Sequence, residues 1–452
     1  MTSPAQTPPS SKRFTRSVYF FGALGELMFG YDVGVIGVAL LFISPEMNLT
    51  PFSQGLVVSA LLAGAAVGVG CSGVLSDRFG RRPLLLAMSA LFVVGGIGGG
   101  LAPSTLWLIA ARGVMGLGVG ASAVVVMVYL AELAPTEHRG RIAALGQFML
   151  VCGILLSYIV AYLLQPWEAW RWMIGISAVP SLILFIGLLA MPESPRWLVQ
   201  AGRPAEARTV LQRIGQGSRA DTEIAAMQQS IMATQAAAMG MGRILSSPGL
   251  RRALVACCGL AVLVQLLGVN TIIYYAPTVL IKVGFAQKGA VVANLGIGAT
   301  NVAMTVLALS LLDRVGRRRL LLIGSVLMTL AMVFLGGAGS AQAASGWLML
   351  AGMLTFLGAF AMSWGACVRV VISELLPQQV RGAIMGYVLV LNWAANFSVG
   401  LLFPLLVARL GAGPTFFAFA AMGALSLVFV FRFVPETKGQ TLEEIQASLQ
   451  RG

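Results

Sequence analysis

A few ionisable side chains, Glu26, Asp32, Arg112 and Arg369, stand inside stretches that are otherwise apolar. A charge at the bilayer centre costs about 2.5–3.5 kcal/mol on insertion scales. Such residues face a bundle interior or a water-filled cavity and are functional candidates by default. Chemistry of other kinds finds little support. The sole histidine, His138, lies in a charged loop, and no nucleophile–base motif is apparent. The glycine runs sit in apolar stretches, without the strand–turn–helix setting that a nucleotide phosphate needs. The five cysteines, Cys71, Cys152, Cys257, Cys258 and Cys367, have neither metal-ligand nor disulfide-framework spacing and read as small core residues. No cofactor or metal is expected, and the chain reads as a non-enzyme.

The elements that position these charges must be membrane helices. The chain has 452 residues, 58% hydrophobic and 10% charged, where soluble domains carry about 25% charged residues. At about 20 apolar residues per crossing there is room for roughly twelve spans. They fall near 18–43, 53–74, 83–102, 105–131, 141–164, 170–191, 253–281, 289–312, 319–340, 346–373, 383–408 and 413–434.

The spans form two related halves. Asp77-Arg78-Phe79-Gly80-Arg81-Arg82 returns as Asp313-Arg314-Val315-Gly316-Arg317-Arg318. Ala131-Glu132-Leu133-Ala134-Pro135, ahead of Arg139-Gly140-Arg141, is answered by Ser373-Glu374-Leu375-Leu376-Pro377, ahead of Arg381-Gly382. Pro192-Glu193-Ser194 closes the first half and Pro435-Glu436-Thr437 the second. A parallel repeat of this kind is one ground plan of secondary transporters. The fold class expected is an all-α membrane protein, two pseudo-symmetric six-helix bundles with a cytoplasmic helical linker. The segments are a tail, 1–17, a bundle, 18–191, a linker, 192–252, a second bundle, 253–434, and a tail, 435–452. Within the linker, AEARTVLQRI and TEIAAMQQSIM read as short amphipathic helices.

The net charge of +14 would suggest nucleic acid in a soluble protein. Here its distribution says otherwise. Arg171, Lys282, Lys288 and Arg409 fall in loops assigned outside, and the basic residues not in spans otherwise gather on the opposite side. That is the positive-inside bias, with both termini cytoplasmic. The first span lacks a small-residue cleavage site and is expected to be retained. The expected setting is the cell (inner) membrane, multi-pass, with no nucleic-acid partner and a monomeric state. Many glycines lie within spans, including Gly64, Gly68, Gly70 and Gly73 in the second and the Gly116–Gly120 GxxxG of the fourth. Small residues let helices approach closely in lipid.

The dense motifs GVLSDRFGRRP (73–83), AELAPTEHRGR (131–141), PESPRWL (192–198), QLLGVNTIIYYAP (265–277), DRVGRR (313–318), SELLPQQVRG (373–382) and PETKGQTLEE (435–444) carry a resemblance. Over essentially its whole length the chain resembles the sugar porter family of the major facilitator superfamily. The resemblance implies a carrier whose halves tilt about one central site. Asp32 then resembles the proton-coupling acid of bacterial sugar–proton symporters, and Arg112 its partner. A movement that changes their separation changes the acid's proton affinity. The alternative is a permanent structural pair.

The family's polar contacts carry over to Gln147, Gln265, Asn270, Asn301, Asn392 and Asn396, with Phe29 as an aromatic wall and Tyr274 and Tyr275 as outer-gate tyrosines. Amides suit hydroxyl-rich solutes because each offers donors and an acceptor. Asp77, Arg78, Arg81, Arg82, Glu132, Arg139, Arg141 and Glu193 match a charged network that closes the inner gate. Asp313, Arg314, Arg317, Arg318, Glu374, Arg381 and Glu436 are its second copy. In the first copy Gly73 precedes the Asp by four residues; in the second, Leu309 does, which predicts looser packing there.

Departures bear on the solute. Val264 stands where the family usually has a first glutamine. Arg369 replaces a tryptophan that stacks on the sugar, and Ala366 replaces a proline. Trp364, one turn earlier, offers a different wall. Arg369 either grips a carboxylate with two parallel bonds or neutralises Glu26. Glu26 is a second titrating site, a partner of Arg369, or a residue near the lipid interface. The function expected is proton-coupled symport of a monosaccharide, cyclitol or related, even acidic, small solute. Proton-driven export, passive facilitation and nutrient sensing are the alternatives.

Overall fold

The protein is described from a computed structural model. It describes the backbone of residues 9–133, 139–214, 219–236, 248–341, 345–376, 378–440 and 444, and side chains from 20 onward except 127, 131, 139–144, 233–236, 248, 313 and 378–383.

Among the described residues, twelve helical stretches are long and apolar enough to cross a membrane. In order they are Phe20–Glu46, Pro51–Phe79, Arg81–Gly100, Thr105–Leu130, Leu145–Trp167, Trp170–Ala190, Gly249–Lys282, Gln287–Leu312, Arg317–Ser340, Gly346–Leu375, Ile384–Leu410 and Ala412–Phe433. Local chemistry sets their ends. Thr50 caps the second span, its hydroxyl accepting from Ser53 N at 3.2 Å, with Pro51 in the first turn. The repeated charged turns each pivot on a glycine, Gly80 at φ 101° and Gly316 at φ 99°. A side chain resists that backbone region, so the turn between spans 2 and 3 and that between spans 8 and 9 need glycine.

The pairing pattern repeats. In the first half span 1 packs on span 5, span 2 on 4 and span 3 on 6. In the second, span 7 packs on 11, 8 on 10 and 9 on 12. Between halves, span 2 meets 11, span 5 meets 8 and span 1 meets 7. Spans 2 and 4 interlock through glycines. Gly64 and Gly68 lie on the backbone of span 4 near Gly113 and Leu117, while Gly116 and Gly120 lie on that of span 2 at Leu61 and Ala65. Gly73 is exposed and has open space where a Cβ would stand. The looser packing expected of Leu309 therefore has no basis, because Gly73 makes no close approach.

Three spans are broken. The sixth is Trp170–Gly175 then Ala178–Ala190. The seventh is Pro248–Leu266 then Val269–Lys282, turning at Gly268 with φ 89°. The tenth is Gly346–Met362 then Trp364–Leu375, parted at Ser363. Irregular backbone at membrane depth is tolerated only where protein buries it or a cavity meets it; the break of span 7 lies between Gln265 and Asn270, and that of span 10 is buried against span 9. The linker contributes Pro195–Gln200, Pro204–Arg213 and Ala220–Ala236; the second of these turns Ala207, Val210 and Leu211 inward.

Candidate functional site

Asp32 in span 1 and Arg112 in span 4 meet in the first half, Nη1 to Oδ1 at 3.5 Å, with side chains 0% and 1% exposed. Arg112 is anchored from a third helix, its Nε donating to Val57 O at 2.7 Å. Neither oxygen of Asp32 has a hydrogen bond among the described residues. The ionised acid therefore depends on Arg112 for its counter-charge.

Opposite them, span 7 bends at Gly268 and presents polar groups. Asn270 Nδ2 donates to Gln265 Oε1 at 2.7 Å and Asn396 Oδ1 at 2.9 Å. Gln265 Nε2 donates to Asn392 Oδ1 at 3.2 Å, and Asn392 Nδ2 to Ala261 O at 2.8 Å. These four amides from spans 7 and 11 form one cluster. Tyr274 lies within electrostatic reach of Asp32 and Arg112 and near the Asn396 side chain. Tyr274 thus stands near both the acid of the first half and the amides of the second. Phe29 meets Trp393 of span 11 edge-on, centroids 5.4 Å apart. Gln147, half-buried, follows Gly146, which abuts Glu26. Asn301 is buried in span 8 without a bond to the cluster.

At the end away from the charged turns the halves touch. Tyr158 of span 5 donates to Ile273 O of span 7 at 3.3 Å, and Gly37 of span 1 rests on the Ile273 and Tyr274 carbonyls. Tyr275 donates to Gly400 O at 2.8 Å, within the second half. At the charged end, the described ion pairs stay within one half. Arg81 binds Glu132 at 3.1 Å and Asp77 at 3.1 Å, and Glu193 accepts the backbone N–H of Arg81 and Arg82. Burial pushes the Glu193 carboxyl up, opposed by those N–H groups, that of Ser194 and the Arg81 charge. Arg82 Nε donates to Leu188 O, and Arg78 lies over the Phe79 ring. In the second copy Arg317 binds Glu374 at 3.3 Å, Glu436 accepts from Arg317 N, Arg318 donates to Phe431 O, and Arg314 O accepts from Lys438. Arg139, Arg141, Asp313 and Arg381 lie outside the described side chains. In this state these charges brace each half separately.

Two expectations need correction. Trp364 is no cavity wall. It is 0% exposed, and its Nε1 donates to Leu321 O and Ser325 Oγ of span 9, because the break at Ser363 turns it into the bundle. Glu26 and Arg369 are not paired in this state. Neither has a hydrogen bond or ion pair with a described residue, and Arg369 is exposed.

Three features escaped the sequence reading. Tyr158 closes the far end, and its signal was a Ser-Tyr pair in an apolar run. Asn294 of span 8 is fully buried, with both polar atoms of its side chain unbonded in the structure. Trp170 and Arg171 clamp Glu46, with Arg171 at 2.8 Å, which ties spans 1 and 6.

Repeated bundles meeting over a polar centre define a secondary transporter. Sequence comparison refines the class: a family model described as "Sugar (and other) transporter" matches residues 18–449, and the chain belongs to the sugar porter family of the major facilitator superfamily. It is 42% identical to the probable metabolite transport protein CsbC of Bacillus subtilis, over 97% of this chain and 96% of that one. It is 40% identical to a D-xylose transporter of Levilactobacillus brevis, over 96% of each. Among solved structures it is similar to the inward-open xylose transporter XylE from E. coli, at 31% identity and a TM-score of 0.82, covering 96% of this chain and 100% of that one. The chain is a multi-pass membrane transporter and not an enzyme.

Proposed function

We propose that this chain is a proton-coupled symporter of a small hydroxylated solute, a monosaccharide or cyclitol, working by alternating access as a single chain. The observation that carries this reading is the buried Asp32–Arg112 pair of the first half, set near Tyr274 and the amide cluster of Asn396, Asn270, Gln265 and Asn392 in the second. A solute that takes hydrogen bonds from the amides competes with their bonds to one another. It thereby moves Asn396 and Tyr274, and the field at the acid changes. Protonation of Asp32 cancels its attraction for Arg112 and frees span 1 to shift against span 4. Release of the proton restores the pair. The amide cluster discriminates by hydrogen bonding, since a solute that leaves buried polar groups unpaired is rejected strongly.

The basic residues at the charged end support a cytoplasmic position for it, with both termini on that side of the cell membrane. The far-end contacts, with the described ion pairs of the charged end made within halves, fit a state open to the cytoplasm. The relatives named for xylose, glucose, arabinose and myo-inositol supply the test panel. In proteoliposomes with the inside made alkaline, at least one of these solutes should accumulate above its external concentration. Equilibration without accumulation for every transported member of the panel would remove the coupling. Absence of transport for all of them would remove the solute class.

A further inference from the structure

Glu26 and Arg369 are the membrane-depth charges that the coupling route leaves unused. Their positions match in depth. Gly22 and Gly25 of span 1 abut Leu130 and Val126 of span 4, whose Glu132 binds Arg81 at the charged end. From Val126 to Glu132 is six residues, so Glu26 lies about 9 Å above that cluster at 1.5 Å per residue. Arg369 precedes Glu374, which binds Arg317, by five residues and so lies about 7.5 Å above the second cluster.

Their directions also agree. Glu26 shares a stripe of span 1 with Phe29, three residues on, and Phe29 meets Trp393 of the opposite half. On span 10, Trp364, Cys367, Val368, Val371, Ile372 and Leu375 are buried in their own half, while Arg369 is exposed. A guanidinium at this depth is expelled from lipid, so it looks into the space between halves. Opposite charges thus stand at like depth on facing walls, both without a described partner, in a state whose far end is closed.

We propose that Glu26 and Arg369 form an ion pair across the two halves when the charged end closes, a gate set deeper than the surface networks. This rests on the alternating-access reading of the protein. It assigns Arg369 to the closing of the vestibule rather than to the grip of a solute carboxylate. The pair is not formed in this state, in which the two halves meet near that depth at Phe29 and Trp393 and at Gly70 and Val390. Forming it offsets the loss of the far-end contacts as the molecule switches.

The test needs no solute. In a background with the native cysteines replaced by serine, Glu26→Cys and Arg369→Cys are combined with a protease site in the segment joining the halves. Membranes are treated with copper phenanthroline and cut, and the halves are separated without reductant. A second pair, Ser59→Cys with Gly400→Cys, is the control, because a Cβ on Gly400 would lie 3.8 Å from the Cβ of Ser59 at the far end, a spacing that suits a disulfide. The proposal expects both pairs to hold the halves together until dithiothreitol is added. A control that cross-links while the 26–369 pair does not would overturn it.

Charge reversal supplies the second arm. Ala161→Cys reports far-end opening by reaction with a membrane-impermeant maleimide. Glu26→Arg or Arg369→Glu alone should slow that labelling about tenfold, and the two together should bring it back to within about threefold of the parent. A double variant as slow as the product of the singles would contradict the pair. An Ala161→Cys parent that shows no far-end labelling would instead contradict alternating access itself.

Discussion

Replacing Asp32 with asparagine separates coupling from movement. The side chain keeps its volume and loses its charge. In the structure the acid and Arg112 lie 3.5 Å apart, and unit charges at that distance attract by about 5 kcal/mol at an effective dielectric near 20. That is the scale on which protonation can shift the balance between states. Removing one member of a buried pair costs about 3–5 kcal/mol, but Arg112 keeps its bond to Val57 O, so melting of the purified variant must be checked first. One proton crossing about 100 mV supplies about 2.3 kcal/mol, which corresponds to roughly fifty-fold accumulation where about 1.4 kcal/mol is tenfold. In proteoliposomes the parent should approach that ratio. Asp32→Asn should stop at equal concentrations inside and out while still exchanging labelled solute. Accumulation by the variant equal to the parent's would refute the reasoning.

Other expectations follow from single contacts. Asn270→Ala removes both donations to Gln265 and Asn396; a lost buried partner costs about 1–3 kcal/mol, so calorimetry should show solute affinity falling about ten- to a hundredfold. Unchanged affinity would remove Asn270 from the site. Tyr158→Phe deletes a bond that crosses the halves at the far end. At about 0.5–1.5 kcal/mol, maleimide labelling of Ala161→Cys should quicken by about two- to tenfold. Gly116→Val places a side chain against the backbone of Leu61 and should lower folded yield sharply, overpacking costing about 1–3 kcal/mol or more. Gly73→Ala, in open space, should leave the melting temperature equal or higher. The reverse order would mean that the packing of spans 2 and 4 has been misread.

Much of the fold was legible because membrane physics writes in large letters. Apolar length gives the spans, and the repeated Asp-Arg-x-Gly-Arg-Arg turns give the two halves. Each of those turns needs its glycine at a positive φ, so the motif states its own geometry. The breaks in spans 7 and 10 were not legible, since nothing in the hydropathy of Gly268 or Ser363 marks a turn. The direction of Trp364 was lost for the same reason: a break rotates everything after it, and a residue expected at the cavity is buried against span 9. Among the site residues, the amides of spans 7 and 11 come together because the bend carries Asn270 to both Gln265 and Asn396. Asn301 shares their chemistry but not their contacts. Pairing between charges was the least legible, because the sequence shows which groups can pair and not in which state they do.

The central claim is that proton movement drives the tilting of two halves about one polar centre. Its most direct measurement is solute uptake by reconstituted wild-type protein under an imposed pH gradient, with membrane potential clamped. The account predicts uptake above equilibrium when protons flow inward with the solute, none when the gradient is collapsed by a protonophore, and proton entry that rises when solute is added. Transport of the same rate and extent with and without the gradient would contradict it.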